Sequence, residues 1–105
     1  DPLTIFDRYY DRIKHIHFKD VRPEQAQQER TDHLSFLQGV KNGMFTVPGD
    51  GMIDFKPIWE AIQKQHYDGW IVVEAEQDPA KANPFEYALK AKHYLDTIMT
   101  IPQAV

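Results

Sequence analysis

Trp70-Ile71-Val72-Val73-Glu74-Ala75-Glu76 is the stretch that decides the fold. Four large apolar residues in a row, three of them β-branched, suit a strand. The run is nearly continuous rather than alternating, which fits a parallel strand covered on both faces. It follows an Asp68-Gly69 turn and ends in carboxylates. By alternation Trp70, Val72, Glu74 and Glu76 share one face, and Ile71, Val73 and Ala75 the other. A second strand is expected over Arg12–Phe18, with Ile13, His15 and His17 on one side and Lys14, Ile16 and Phe18 on the other.

Helical signals surround these two strands. Asp1-Pro2 reads as an N-cap with Pro at the first position, opening a helix to about Asp11, with Ile5, Phe6, Tyr9, Tyr10 and Ile13 recurring at helical spacing. Lys19–Asp32 is polar and aperiodic and reads as a long loop. A short helix follows over His33–Lys41, with Leu34, Leu37 and Val40 at i, i+3, i+6, ended by Asn42-Gly43. Met44–Asp54 is turn-rich. Its Pro48-Gly49-Asp50-Gly51 resembles a phosphate-cradling loop only weakly, and a tight turn feeding a helix capped by Asp54 is the plainer reading. That helix, to about Gln65, buries Phe55, Ile58, Trp59 and Ile62. Asn83-Pro84-Phe85-Glu86 opens a last helix to about Met99, with Phe85, Ala88, Leu89, Leu95 and Ile98 on its buried face. The tail after Pro102 should fray.

Strands alternating with helices predict an α/β fold with parallel strands joined by crossovers. Two strands make a poor sheet, and the first residue is Asp1 rather than Met. The chain therefore reads as the last portion of a larger α/β domain. At 105 residues it is at most one domain. Its 42% hydrophobic and 12% aromatic content excludes a disordered chain. With no Cys, disulfides and thiolate metal sites are excluded. A net charge of −4 argues against a nucleic-acid partner. Thr97–Val105, the longest uncharged stretch, is too short to cross a membrane.

Chemistry is expected where parallel strands end, because α/β sheets carry their sites at the carboxyl edge. The first strand ends in His15-Ile16-His17-Phe18-Lys19-Asp20 and the second in Glu74-Ala75-Glu76. If the strands are neighbours, His17 and Glu74 face the same space. A His nitrogen and a carboxylate oxygen suit Mn²⁺, Co²⁺, Fe²⁺ or Zn²⁺. The plainer alternative is a hydrogen-bonded core His and a paired Glu. Lys19, Asp20 and Arg22 suit either contact with an oxygen-rich substrate or a solvated loop with a local Asp20–Arg22 ion pair. His15 reads as a supporting or core residue. His33, His66 and His93 read as surface groups.

Three runs carry a resemblance: HIHFKDVRPE from His15, SFLQGVKNGMFTVPGDGMIDF from Ser35, and YDGWIVVEAEQDPAKANPFEYA from Tyr67. Together they closely resemble the C-terminal part of the inosose dehydratases, a family of xylose-isomerase-like barrels, over Asp1 to about Leu95. The resemblance implies a (β/α)₈ TIM barrel in which residues 1–105 form about strands 7 and 8 with flanking helices. It implies a divalent metal, Mn²⁺ or Co²⁺, held by a Glu, an Asp, a His and a second Glu. His17 stands at the His position and Glu74 at the second Glu position; the other two ligands would lie upstream of Asp1. It further implies a cytoplasmic lyase that dehydrates 2-keto-myo-inositol to a trihydroxycyclohexane-1,2-dione in inositol catabolism. Lys19 would contact the enolate oxygen or the leaving group, and Glu76 and Arg22 would hydrogen-bond the substrate. No separate organic cofactor is implied.

Two competing readings remain at this level. A sugar isomerase or epimerase of the same superfamily would keep His17, Glu74 and the metal but move protons without expelling water. A non-catalytic piece that folds by packing on the rest of a barrel, its remaining partner, would bind metal weakly by itself. The DNA-repair branch lacks support, since no further Asp-x-His pair follows the first strand. A homo-oligomer is compatible with all of these.

Overall fold

The computed structural model describes residues 1–99, so the expectation for the tail after Pro102 lies outside the described residues. Asp1 caps the first helix, α1 (Pro2–Tyr9), its carboxylate accepting from the Leu3 amide at 3.1 Å and the Thr4 hydroxyl at 3.0 Å. A 3₁₀ turn over Tyr10–Arg12 then leads into β1 (Ile16–Phe18). The expected strand from Arg12 is shorter, because Ile13–His15 find no strand partner among the described residues.

The largest departure is the segment read as a long loop. It forms β2 (Asp20–Val21) and a helix, α2 (Pro23–Thr31). Pro23 fits the first helical position, and Gln, Glu, Ala and Arg are good helix formers. Only Ala26 of this helix is buried, so it has almost no apolar stripe for a periodicity argument to detect. α3 (Phe36–Lys41) starts later than expected because Ser35 is its cap, accepting from the Gln38 amide at 3.1 Å. Leu37 is exposed, and Gly39 is the buried position instead. Gly43, at φ 82°, ends this segment as expected.

β3 (Phe45–Thr46) pairs antiparallel with β2, a small ribbon the sequence reading did not foresee. α4 (Lys56–Lys64) follows, with the Asp54 carboxylate accepting from the Lys56 amide at 3.1 Å. β4 (Ile71–Val73) then pairs parallel with β1, in the register Ile16 with Ile71, His17 with Val72, and Phe18 with Val73. α5 (Pro84–Ile98) is capped by Asn83, which accepts from the Phe85 and Glu86 amides.

The core lies between the β1–β4 pair and helices α1, α4 and α5. Phe6, Phe18, Phe55, Ile62 and Leu95 are buried together. The Phe18 and Phe55 rings meet at a tilt with centroids 4.8 Å apart, and the Phe55 amide donates to the Tyr94 hydroxyl at 3.3 Å. Ile62 is almost fully enclosed. Its replacement by Val should cost about 1 kcal/mol through one lost methylene and the space it leaves, read as a lower urea midpoint with unchanged slope.

Two burial expectations fail. Val72 and Val73 are partly exposed, and Trp70 is 77% exposed. Among the described residues β4 pairs with β1 alone, and what packs on that pair encloses neither face of β4 fully. On α5 the buried positions are Ala91 and Leu95, while Phe85 is 71% exposed and Leu89 is open. The first turns of α5 lie away from the Phe55–Ile62 cluster.

Candidate functional site

Parallel pairing of β1 with β4 sends both strands out of the same edge. His17 stands opposite Val72, and the ladder continues one step further through the Glu74 amide, which donates to the Phe18 carbonyl at 2.9 Å. Phe18 turns into the core, so His17 and Lys19 take the other face. Glu74, two residues past Val72, lies on that same side.

The side chains then meet. His17 Nδ1 is 2.8 Å from Glu74 Oε2, and Lys19 Nζ is 3.2 Å from Glu74 Oε1. Lys19 also pairs with Glu76 Oε1 and stands 4.5 Å from the centre of the Phe45 ring. Lys19 is thus held by two carboxylates and an aromatic face, with 21% of its side chain exposed. Partial burial lowers its proton affinity, but the hydrogen bonds to Glu76 and Glu74 outweigh that and raise its pKa. Hydrogen bonds from His17, then Lys19, draw the Glu74 pKa from 4.5 down to about 2.

Glu76 reaches Lys19 by an unusual route. Its φ is 49°, in the left-handed region, which costs a non-glycine residue of order 1–3 kcal/mol. The alternation expected through Glu76 therefore stops after Glu74.

The His17–Glu74 pair fits two neighbouring ligands of one divalent ion. Donors each about 2.1 Å from a shared ion stand about 3 Å apart when their bonds meet at right angles. The donor types suit Mn²⁺, Co²⁺, Fe²⁺ or Zn²⁺. The shell is not complete: among the described residues, no group of three or more His, Asp or Glu side chains converges as a metal site.

Asp20 and Arg22 do not pair with each other. Asp20 is fully buried, and its carboxylate accepts from the amides of Val21, Gly49, Gly51 and Ile53 at 2.8, 3.3, 3.1 and 3.0 Å. The anion cradled by the Gly49–Gly51 loop is this chain's own carboxylate. A Cβ on Gly51 would strike that carboxylate and the Val21 carbonyl, and one on Gly49 would lie 2.5 Å from the Tyr94 ring. Hence the loop needs glycine at both positions.

Arg22 is engaged elsewhere. Its Nη1 donates to the Gly43 carbonyl at 2.8 Å, and its Nη2 to Asp50 Oδ2 at 2.8 Å and the Tyr87 hydroxyl at 3.2 Å. Asp50 also pairs with Lys90 at 3.0 Å and accepts from the Thr46 hydroxyl at 2.7 Å. Gln77 Nε2 donates to that same hydroxyl oxygen at 3.3 Å. Nothing in the residue types of Thr46 or Gln77 marked them, since a lone Thr or Gln carries no spacing signal. His15, expected in a supporting or core role, is exposed and meets His17 edge-on at 5.1 Å. His33, His66 and His93 are exposed as expected.

Acid should loosen this network. Burial raises the Asp50 pKa, but the Thr46 hydrogen bond, Lys90 and Arg22 outweigh it and leave the value below the ordinary 3.8. A depressed carboxylate stabilises the fold fully above its unfolded value, and that contribution is lost as pH falls through the folded one. Glu74 behaves alike between 4.5 and about 2. The urea midpoint should therefore fall on acidification below about pH 4.5, and Asp50→Asn should remove part of that slope.

Among the described residues, no helix is long and apolar enough to cross a membrane. Residues 1–98 match the family described as xylose isomerase-like TIM barrel. A protein of Lacticaseibacillus casei named inosose dehydratase is 83% identical over 99% of this chain and 35% of its own length. Proteins of the same name from Geobacillus thermodenitrificans and Clostridium beijerinckii are 60% and 54% identical, each over 90% of this chain and 32% of their own length. The chain thus spans about a third of the length of the curated relatives it matches.

Proposed function

Because the chain belongs to the xylose isomerase-like TIM barrel family, we propose that it supplies two adjacent strands of such a barrel, the seventh and eighth, and part of the site of an inosose dehydratase. The observation that carries this reading is the meeting of His17, Lys19, Glu74 and Glu76 at the carboxyl ends of β1 and β4, where barrel enzymes act. The name shared by the relatives speaks of an inosose and a dehydration; on our reading the inosose is 2-keto-myo-inositol and the product a trihydroxycyclohexane-1,2-dione.

His17 and Glu74 would hold a divalent ion, Mn²⁺ or Co²⁺, together with ligands from outside these residues. When bound, such an ion supplies Lewis-acid polarisation of the ketone oxygen. The remaining work belongs to side chains. Lys19, whose raised pKa keeps it an ammonium, donates to the oxygen that gains charge or to the departing β-hydroxyl. Glu76 holds that ammonium in place. Arg22 reaches substrate only by yielding one of its three acceptors, so its part is to hold the loop that borders the site. The base that takes the α-proton comes from another part of the barrel.

The test is an exchange. Residues 1–99 replace the matching segment of the Lacticaseibacillus casei relative, and the completed barrel is given 2-keto-myo-inositol with Mn²⁺. The expected result is release of water and appearance of the dione. Interconversion of ketoses without loss of water would instead establish an isomerase or epimerase, and no turnover at all would overturn both.

A further inference from the structure

Three non-glycine residues among those described have positive φ: His33, His66 and Glu76. Two of them are ordinary. His33 and His66 stand just past the caps of α2 and α4, where a left-handed residue commonly ends a helix. Glu76 ends no helix. It lies just past a strand, at the site itself, and such a conformation persists only where the surroundings over-determine it.

We infer that Gln77 and Thr46 are positioning residues that hold Glu76 in this left-handed conformation, and through it hold Lys19 at the site. Thr46 is fully buried. Its hydroxyl proton is committed to Asp50 Oδ2 at 2.7 Å, because Asp50 sits between Arg22 at 2.8 Å and Lys90 at 3.0 Å and is an acceptor only. A lone pair of the Thr46 oxygen is thereby left to receive Gln77 Nε2 at 3.3 Å. The next residue back is Glu76, whose carboxylate pairs with Lys19. An ordered chain of contacts therefore runs from Arg22 and Lys90 through Asp50, Thr46 and Gln77 to the strand end. It fixes the chain on one side of Glu76, while Lys19 fixes the side chain. Without the tie, the backbone at Glu76 is free to return to the extended region, and its carboxylate leaves Lys19. Lys19 then keeps Glu74 and the Phe45 face but loses its closest partner.

What Lys19 does rests on the dehydratase reading; where it is held does not. The test uses the completed barrel with Gln77→Ala, Thr46→Val, Thr46→Ser and the double variant Gln77→Ala/Thr46→Val. Gln77→Ala and Thr46→Val should each lower kcat about tenfold, as expected for a displaced catalytic group, with KM and Mn²⁺ affinity within about twofold. Thr46→Ser, which keeps the hydroxyl, should restore kcat. The double variant should be no slower than either single one, since both cut the same chain of contacts. A crystal structure of Gln77→Ala should show Glu76 at negative φ with its carboxylate away from Lys19. The inference is overturned if that structure keeps the positive φ and the Lys19–Glu76 pair, or if Thr46→Ser is as slow as Thr46→Val. Should the unsubstituted barrel not dehydrate the ketone, the dehydratase reading fails and the crystal structure alone decides the positioning role.

Discussion

In the completed barrel, His17→Ala or Glu74→Gln is expected to lower dehydration of 2-keto-myo-inositol about a thousandfold, the scale on which loss of a Lewis acid is felt. The bound metal, counted by mass spectrometry after gel filtration, should fall in parallel. The two substitutions remove one nitrogen and one oxygen donor that stand 2.8 Å apart. His17→Ala also frees Glu74 Oε2, and Lys19 at 3.2 Å is then the group nearest that carboxylate. Glu74→Gln keeps the shape but not the negative charge that favours a divalent ion. A Lys19→Met variant separates the two roles. It should retain metal while losing turnover, because in the proposed mechanism Lys19 acts on substrate oxygens, and while protonated it bears no lone pair for the ion. Full metal content with full turnover in His17→Ala would remove the metal assignment.

Asp20→Ala is expected to destabilise the completed barrel by about 3 kcal/mol, read from urea unfolding. This carboxylate has no solvent contact and satisfies the Val21, Gly49, Gly51 and Ile53 amides. Its removal leaves four donors without their acceptor in a site where unsatisfied groups cost about 1–3 kcal/mol each before relaxation. Relaxation and entering water recover part of that sum. Asp20→Asn should cost less, since the amide oxygen still accepts while its NH₂ meets donors. Turnover should also fall, because Asp20 follows Lys19 directly and its cage joins β2 to the loop carrying Asp50. A variant as stable as the parent would show that the cage is dispensable.

Much of this molecule is legible in its amino-acid order. The Asp1 and Asn83 caps, the Phe55–Ile62 stripe and the Trp70–Val73 run are local signals. They act through hydrogen bonds to nearby amides or through apolar spacing, so they need no knowledge of the fold. α2 escaped because its Gln- and Glu-rich surface has good helix propensity but almost no apolar stripe, and periodicity registers only the stripe. β2 and β3 escaped because two-residue strands exist only through each other.

The candidate site divides along the same line. The residue types at two strand ends, His17 with Lys19 and Glu74 with Glu76, were determined by sequence alone, together with the expectation that parallel neighbours would face one space. Tertiary structure alone decided which side chains meet. It set Asp20 as the anion inside the glycine loop rather than a partner of Arg22. It turned Glu76 out of the strand alternation onto Lys19, and it linked Thr46 to Gln77 across 31 positions of chain. The physical reason is that a side chain's type and its place within an element follow from local order. Its partner is whatever the packing of distant segments brings within hydrogen-bonding reach, and no spacing along the chain encodes that distance.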